Sequence, residues 1–234
     1  MTTSAATQLT PLVTADLLRH LERLVDVPGE RPSIAVTAPY TTQTIGSVPS
    51  ASPADVATSA AAARRAGLEW SKTPVKERTR ALDRFHDLVI DNAGLAMDII
   101  QLESGKSRIA AMEEVYHVAA VARYYRNVGP GLLRPRRLAV ATPGLTRAWE
   151  HRHPKGVVGF ISPWNFPFTL AISDMLPALL AGNGAVLKPD EKTPYSALFG
   201  LDMLLAAGFP PGLVRVVTGI GEEIGGALVD AVDF

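Results

Sequence analysis

The chain has 234 residues, is 47% hydrophobic and 20% charged, and balances 23 Lys and Arg against 23 Asp and Glu. This length allows one large or two small domains with a sizeable core, and the neutral balance gives no basic surplus to draw nucleic acid or an anionic membrane. The absence of cysteine excludes disulfides, thiolate zinc sites and a cysteine nucleophile within these residues.

The opening MTTSAATQLTPLVTADLLRHLERL lacks a basic segment followed by an apolar one, so no secretory signal is expected. Residues 1–30 read as a frayed start and a short amphipathic helix. Leu17, Leu18, Leu21, Leu24 and Val25 recur at helical spacing, and Asp26-Val27-Pro28-Gly29 closes it. Segments 33–37 and 44–48 predict a hairpin. Three helices follow. Ser52 caps the first, with Pro53 at its first position and Asp55 at its positive end. Thr73-Pro74 repeats the start signal for the second, where Leu82, Phe85, Leu88 and Val89 form a stripe. The third, from about Ser107 to Asn127, places Met112, Val115, Ala119 and Ala122 on one face, and Gly129-Pro130-Gly131 stops it. Residues 136–153 hold two possible strands around a Thr142-Pro143-Gly144 turn. Their pattern has no clean buried face, which suits a protruding ribbon.

From Gly156 the pattern changes. Val157–Ile161 is an apolar run suited to a buried parallel strand. The charge-free run from Gly156 to Ser173 carries Pro163, Pro167 and Asn165, which argues against a membrane span; a cytoplasmic protein is the expectation. A helix over 167–181, with Leu176, Leu179 and Leu180, ends at Gly182-Asn183-Gly184. Strand 185–187, helix 194–207, strand 213–217 and a helix over about 222–229 complete the series. Strands alternating with helices predict right-handed βαβ units and a parallel sheet.

In such a sheet, ligands bind beyond the carboxyl ends of the strands. Loops 162–167, 188–193 and 218–222 meet there and form a plausible bed for a nucleotide. Two prolines bracket Asn165 and fix its backbone. Its amide N–H is therefore suited to stabilising an oxyanion, or the residue simply forms a turn. Lys188 and Glu191 either grip ribose hydroxyls or belong to a solvated turn. Gly219-x-Gly221-x-x-x-Gly225 departs from the G-x-G-x-x-G spacing and equally fits a turn with a closely packed helix. His151 and His153 lack a third partner, so surface roles are favoured over metal. Glu103-Ser104-Gly105-Lys106 reads as a helix end with a glycine cap rather than a phosphate loop. Tyr124 and Tyr125 read as packing residues.

Taken together, Pro154-x-Gly156-Val157-Val158-Gly159, Pro163-Trp164-Asn165-Phe166-Pro167, Ala181-Gly182-Asn183, Lys188-Pro189-Asp190-Glu191-Lys192-Thr193-Pro194 and Gly208-Phe209-Pro210-Pro211-Gly212 resemble the aldehyde dehydrogenase superfamily. Glu103-Ser104-Gly105-Lys106 is similar to the family's Glu-(Ser/Thr)-Gly-Lys. The order and spacing of these motifs cover the chain from about residue 40 to its end. The texture is nearest to the succinate-semialdehyde dehydrogenase branch. The resemblance implies an α/β fold: an N-terminal helical region plus the first half of a Rossmann-like parallel sheet, stopping before the family's catalytic domain. It implies a helical part over 1–135, an oligomerisation β-ribbon over 136–153 and a partial NAD(P)-binding region over 154–234.

It further implies NAD(P)-dependent oxidation of an aldehyde, including succinate semialdehyde, to the acid. In the family a cysteine thiolate attacks the aldehyde, the amide of Asn165 shares the oxyanion with the cysteine's own N–H, hydride leaves to the nicotinamide, and a glutamate activates water. Ile161, Ser162, Pro163, Trp164 and Asn165 would line the cofactor. Lys188 and Glu191 would meet the adenosine ribose, and Gly221 and Gly225 the adenine and adjoining phosphate region. No metal is implied. Glu191 repels a 2′-phosphate and favours NAD over NADP, with Lys192 acting against that preference. The full-length family implies an aldehyde substrate and a homo-oligomer, with neither nucleic acid nor membrane as partner. The cysteine, the glutamate base and a Gly-Ser turn would lie beyond Val232-Asp233-Phe234, so this chain alone is expected to be inactive. The alternative is a non-catalytic nucleotide-binding or partner-chain module. Ser173 stands where some semialdehyde enzymes carry a carboxylate-binding arginine. A fourth strand would pair the outer edge of strand 157–161, so that edge is expected to be open and prone to association.

Overall fold

The computed structural model describes residues 12–142 and 144–234. The frayed start and Pro143 of the expected turn lie outside the described residues. Thr14 caps helix α1 (Ala15–Glu22), its hydroxyl accepting from the Leu17 N–H at 3.2 Å. The helix ends before Val25, which instead bridges Val216 in parallel. Strands β1 (Ser33–Thr37) and β2 (Thr44–Pro49) form the expected antiparallel hairpin. Helix α2 (Pro53–Lys72) opens on a capping box between Ser52 and Asp55. Arg31 grips both Asp55 oxygens at 2.9 Å, which holds that carboxyl well below the usual range.

Four helices fill the next stretch where three were expected. They are α2, α3 (Val75–Asp91), α4 (Ala93–Ser104) and α5 (Arg108–Leu133). Thr73 does not cap α3 through its side chain. α2 runs uninterrupted to Lys72, and Thr73 closes it, donating its N–H to Trp70 O at 3.0 Å. α4 separates because Asn92 turns back, its amide donating to Leu88 O at 2.8 Å. α5 does not stop at Gly129-Pro130-Gly131 but carries Pro130 inside it. The ring's φ suits a helix, and only one backbone bond is lost. Gly129 packs so tightly on Leu180 that a Cβ there would lie 2.1 Å from its Cδ2, and this contact holds the extra turn in place. Met112 is exposed, whereas Ala111, Val115, Val118, Ala119 and Ala122 form the buried stripe.

Strands β3 (Arg136–Leu138) and β4 (Ala148–Glu150) pair as a separate antiparallel ribbon. There follow β5 (Val157–Ile161), α6 (Thr169–Ile172), α7 (Met175–Ala181), β6 (Gly184–Lys188), α8 (Pro194–Ala206), β7 (Val214–Val216) and α9 (Gly221–Ala231). The single helix expected over 167–181 is two, broken at Ser173-Asp174. β5, β6 and β7 make a parallel sheet in that order.

Side chains alternate across β6, which sets the layers. Ala185 and Leu187 join the larger core with α3, α5, α7 and α8. Val186 joins a second core with Val56, Ala60 and Ala63 of α2 and Ile224 and Leu228 of α9. Helices thus cover both faces. The Ala-rich stretch of α2 lets helix and strand backbones touch. A Cβ on Gly184 would lie 2.3 Å from Ala63 O, and one on Gly67 2.7 Å from Gly184 N.

The expectation of an open β5 edge is corrected. Residues 232–234 run beside it: the Asp233 N–H donates to Val157 O at 2.9 Å and the Gly159 N–H to Phe234 O at 2.8 Å. The Asp233 carboxylate also accepts from the Val157 N–H at 2.8 Å and pairs with Arg64. Unpaired backbone groups on an apolar strand are costly, and even a short segment relieves part of that cost. Ile161 lies beyond its reach and is exposed. Among the described residues no helix is long and apolar enough to cross a membrane.

The helix-on-strand contact is testable. Gly184→Ala forces a Cβ against a backbone oxygen and is expected to cost about 2–3 kcal/mol in urea unfolding. Gly131→Ala, where a Cβ meets nothing within 4 Å, is expected to change stability by less than about 1 kcal/mol.

Candidate functional site

Ile161 pairs with Lys188, and Leu187 with Val216. The three loops therefore leave the sheet side by side at its carboxyl end. The Ser162 N–H donates to Lys188 O at 3.1 Å, and the Val217 N–H to Leu187 O at 2.9 Å.

In the first loop Ser162 is buried and its Oγ has no partner. Pro163, Trp164, Asn165 and Phe166 are exposed. The Asn165 side chain makes no hydrogen bond with the described residues, including none of the turn-forming kind. In the second loop Lys188 is buried, its Nζ donating to Pro189 O at 3.1 Å and to the Glu191 carboxylate at 3.4 Å. The third loop leads into α9, whose N-terminus has no side-chain cap and leaves backbone amides free for an acceptor. Gly219 packs on Ile224, but a Cβ on Gly221 or Gly225 would meet nothing within 4 Å. Their bare backbone faces open space.

Two buried carboxylates place these loops. Glu103, at the end of α4, accepts the N–H groups of Tyr195 and Ser196 at 2.8 and 2.7 Å, fixing the start of α8 beside the second loop. Burial pushes its carboxyl up to about 8, with the two amide donors opposing the rise. Glu114 of α5 accepts from Phe168 and Thr169, both at 3.0 Å, directly behind the first loop. Its other oxygen pairs with Lys106, whose Nζ lies 3.9 Å from the centre of the Phe166 ring. Gly105 caps α4 in the left-handed conformation, φ 73°, and turns the chain so that Lys106 faces that ring. The glycine cap was legible in the sequence; the clamp formed by Glu103, Lys106 and Glu114 was missed. One signal pointed to it: Glu114 falls within the apolar stripe of α5, where a carboxylate needs buried donors.

Other sequence candidates lie apart. Ser173 is buried, with Oγ donating to Thr169 O at 2.6 Å. The His151 and His153 rings stack at 6.5 Å on the ribbon. Among the described residues no group of three or more His, Cys, Asp or Glu is placed to hold a metal. Tyr124 and Tyr125 meet edge to face at 5.1 Å. A cavity of about 700 Å³, lined in part by Lys76, Arg80, Arg126 and Arg134, contains none of the loop residues.

Comparison with known proteins bears on this arrangement. The aldehyde dehydrogenase family profile matches residues 27–234. A protein of Mycobacterium tuberculosis, provisionally named succinate-semialdehyde dehydrogenase (NADP+) 2, is 43% identical over 219 residues; the match covers 94% of this chain and 42% of the relative. The crystal structure of an NAD-dependent benzaldehyde dehydrogenase from Corynebacterium glutamicum superimposes with TM-score 0.80 at 33% identity, covering 87% of this chain and 44% of that one. A succinate-semialdehyde dehydrogenase from Burkholderia pseudomallei gives TM-score 0.79 at 32% identity, covering 84% and 40%. The chain thus spans less than half the length of the proteins it matches.

The clamp makes a prediction. Glu114→Gln leaves Lys106 without its anion and turns an amide donor toward other donors. It is expected to cost about 3 kcal/mol and to speed hydrogen exchange at the Phe168 and Thr169 amides more than about tenfold. Glu113→Gln on the exposed neighbour is expected to change neither.

Proposed function

Because the chain belongs to the aldehyde dehydrogenase family, we propose that it supplies the cofactor cradle and half of the oxyanion site for NAD(P)-dependent oxidation of an aldehyde to its carboxylic acid. The observation that carries this reading is the convergence of three loops bearing the unpartnered Ser162 hydroxyl, the buried Lys188 and the bare backbone of Gly221 and Gly225. These features fit a dinucleotide. Ile161, Ser162, Pro163 and Trp164 would line it, Lys188 and Glu191 would meet a ribose, and Gly221 and Gly225 would lie against the adenine and adjoining phosphate. When bound, it supplies the two-electron acceptor for the oxidation. Glu191 beside Lys188 favours free ribose hydroxyls, and hence NAD over NADP.

Asn165 donates its amide N–H to the substrate carbonyl oxygen as negative charge develops there. The flanking prolines restrict the backbone that carries this amide, and a donor already aimed at developing charge needs less reorganisation. None of the 234 residues is a cysteine. In this reading the chain binds cofactor and polarises the carbonyl, but lacks a thiol nucleophile of its own to complete the oxidation. The same absence favours a second reading, a nucleotide-binding module that pairs with a separate cysteine-bearing chain. The mycobacterial relative's name makes succinate semialdehyde one candidate substrate. The β3–β4 ribbon, which exposes Leu138, Leu145 and Trp149, joins copies of the chain, and the protein is cytoplasmic.

Isothermal titration tests the reading. NAD+ is expected to bind the 234-residue chain more tightly than NADP+, and Lys188→Ala to weaken binding at least about tenfold. An aldehyde added with NAD+ gives no absorbance of reduced cofactor. Absence of binding by either dinucleotide would overturn the reading.

A further inference from the structure

A cavity of about 700 Å³ lies between the first turns of α3 and the last turns of α5, with Arg134 and Pro135 completing its wall. At about 1.5 Å per residue along α5, it is roughly 20–30 Å from Glu114 and the first loop. Four cations converge on it: Lys76 and Arg80 from α3, Arg126 from α5, and Arg134. Asp83 is the carboxylate in its wall, and it pairs with Arg126 at 3.1 Å. Arg80 is held by Glu77 at 2.5 Å. Lys76 and Arg134 make no ion pair with the described residues. The rest of the wall is mostly hydrocarbon, from Val75, Pro130, Leu133 and Pro135. Pro130 is in the turn of α5 that Gly129 packs onto Leu180, so this side of the cavity is formed in advance and needs little ordering by a ligand.

We infer that this cavity binds an organic anion with an apolar tail, a medium-chain carboxylate, its head at Lys76 and Arg134 and its tail against Val75, Pro130 and Leu133. A guanidinium fork matches the two oxygens of a carboxylate, and Lys76 adds a second positive charge. Both cations are exposed, so pairing with a small anion is weak in water. A tail that leaves water against the hydrocarbon wall adds the larger gain. A neutral tail has that gain but leaves the two cations without an anion. The volume is in the usual range for sites that enclose a small organic molecule. None of its lining residues belongs to loops 162–167, 188–193 or 218–222, so this ligand and a dinucleotide in the cradle bind side by side on one chain.

The test titrates the 234-residue chain with octanoate, with octanamide, which keeps the tail but not the charge, and with acetate, which keeps the head but not the tail. Amide chemical shifts report affinity and place. Octanoate is expected to bind at least about tenfold more tightly than either of the others and to move signals of residues 75–83 and 126–135. Replacing two exposed side chains together, Lys76→Ala with Arg134→Ala, is expected to weaken octanoate at least about tenfold and leave octanamide and NAD+ binding unchanged. Lys76→Arg, which keeps the charge, is expected to retain octanoate binding. Octanamide or acetate binding as tightly as octanoate, no binding of octanoate, shifts confined to other residues, displacement of octanoate by NAD+, or a double variant that binds octanoate as before would each overturn the inference.

Discussion

The site depends on two carboxylates that the fold has taken out of water. Glu103 and Glu114 each hold a pair of backbone N–H groups at the start of a segment that follows a strand of the parallel sheet. A buried donor or acceptor left without its partner costs about 1–3 kcal/mol, so each carboxyl secures the two N–H groups it meets. The same side chains thus anchor the N-terminal helices to the sheet and fix where its loops begin. Lys106 extends the arrangement by neutralising Glu114 and lying over Phe166, next to Asn165.

The sheet itself rests on close contact. α2 lies against β6 with almost no side chain between them at Gly67 and Gly184. That proximity brings a second core of Val56, Ala60, Ala63, Ile224 and Leu228 onto the face opposite the larger one. β6 is buried along its whole length, so its register with β5 and β7 is strongly specified. Three loops that are far apart in sequence are placed together by this one strand.

Local pattern made much of this legible. β5 has the boundaries that its apolar run predicts, and the β1–β2 hairpin and the Ser52 cap follow from turn and cap chemistry. The parallel order of β5, β6 and β7 follows from alternation of strand and helix. What the sequence concealed was tertiary. Pro130 continues a helix because Gly129 packs on Leu180, and Thr73 closes one helix rather than opening the next. Residues 232–234 occupy an edge that no local pattern assigns to them. At the site, the ordered motifs picked out Asn165, Lys188 and the Gly219–Gly225 stretch. The roles of Glu103, Lys106 and Glu114 needed coordinates, because partners as far apart as Glu103 and Ser196 leave no periodic trace.

The central claim is that loops 162–167, 188–193 and 218–222 act as one cradle. Hydrogen exchange of the chain with and without NAD+ tests it most directly. The account predicts that the cofactor slows exchange in all three loops together and leaves the β3–β4 ribbon unchanged. Protection confined to one loop, or appearing instead around Lys76, Arg126 and Arg134, would contradict it.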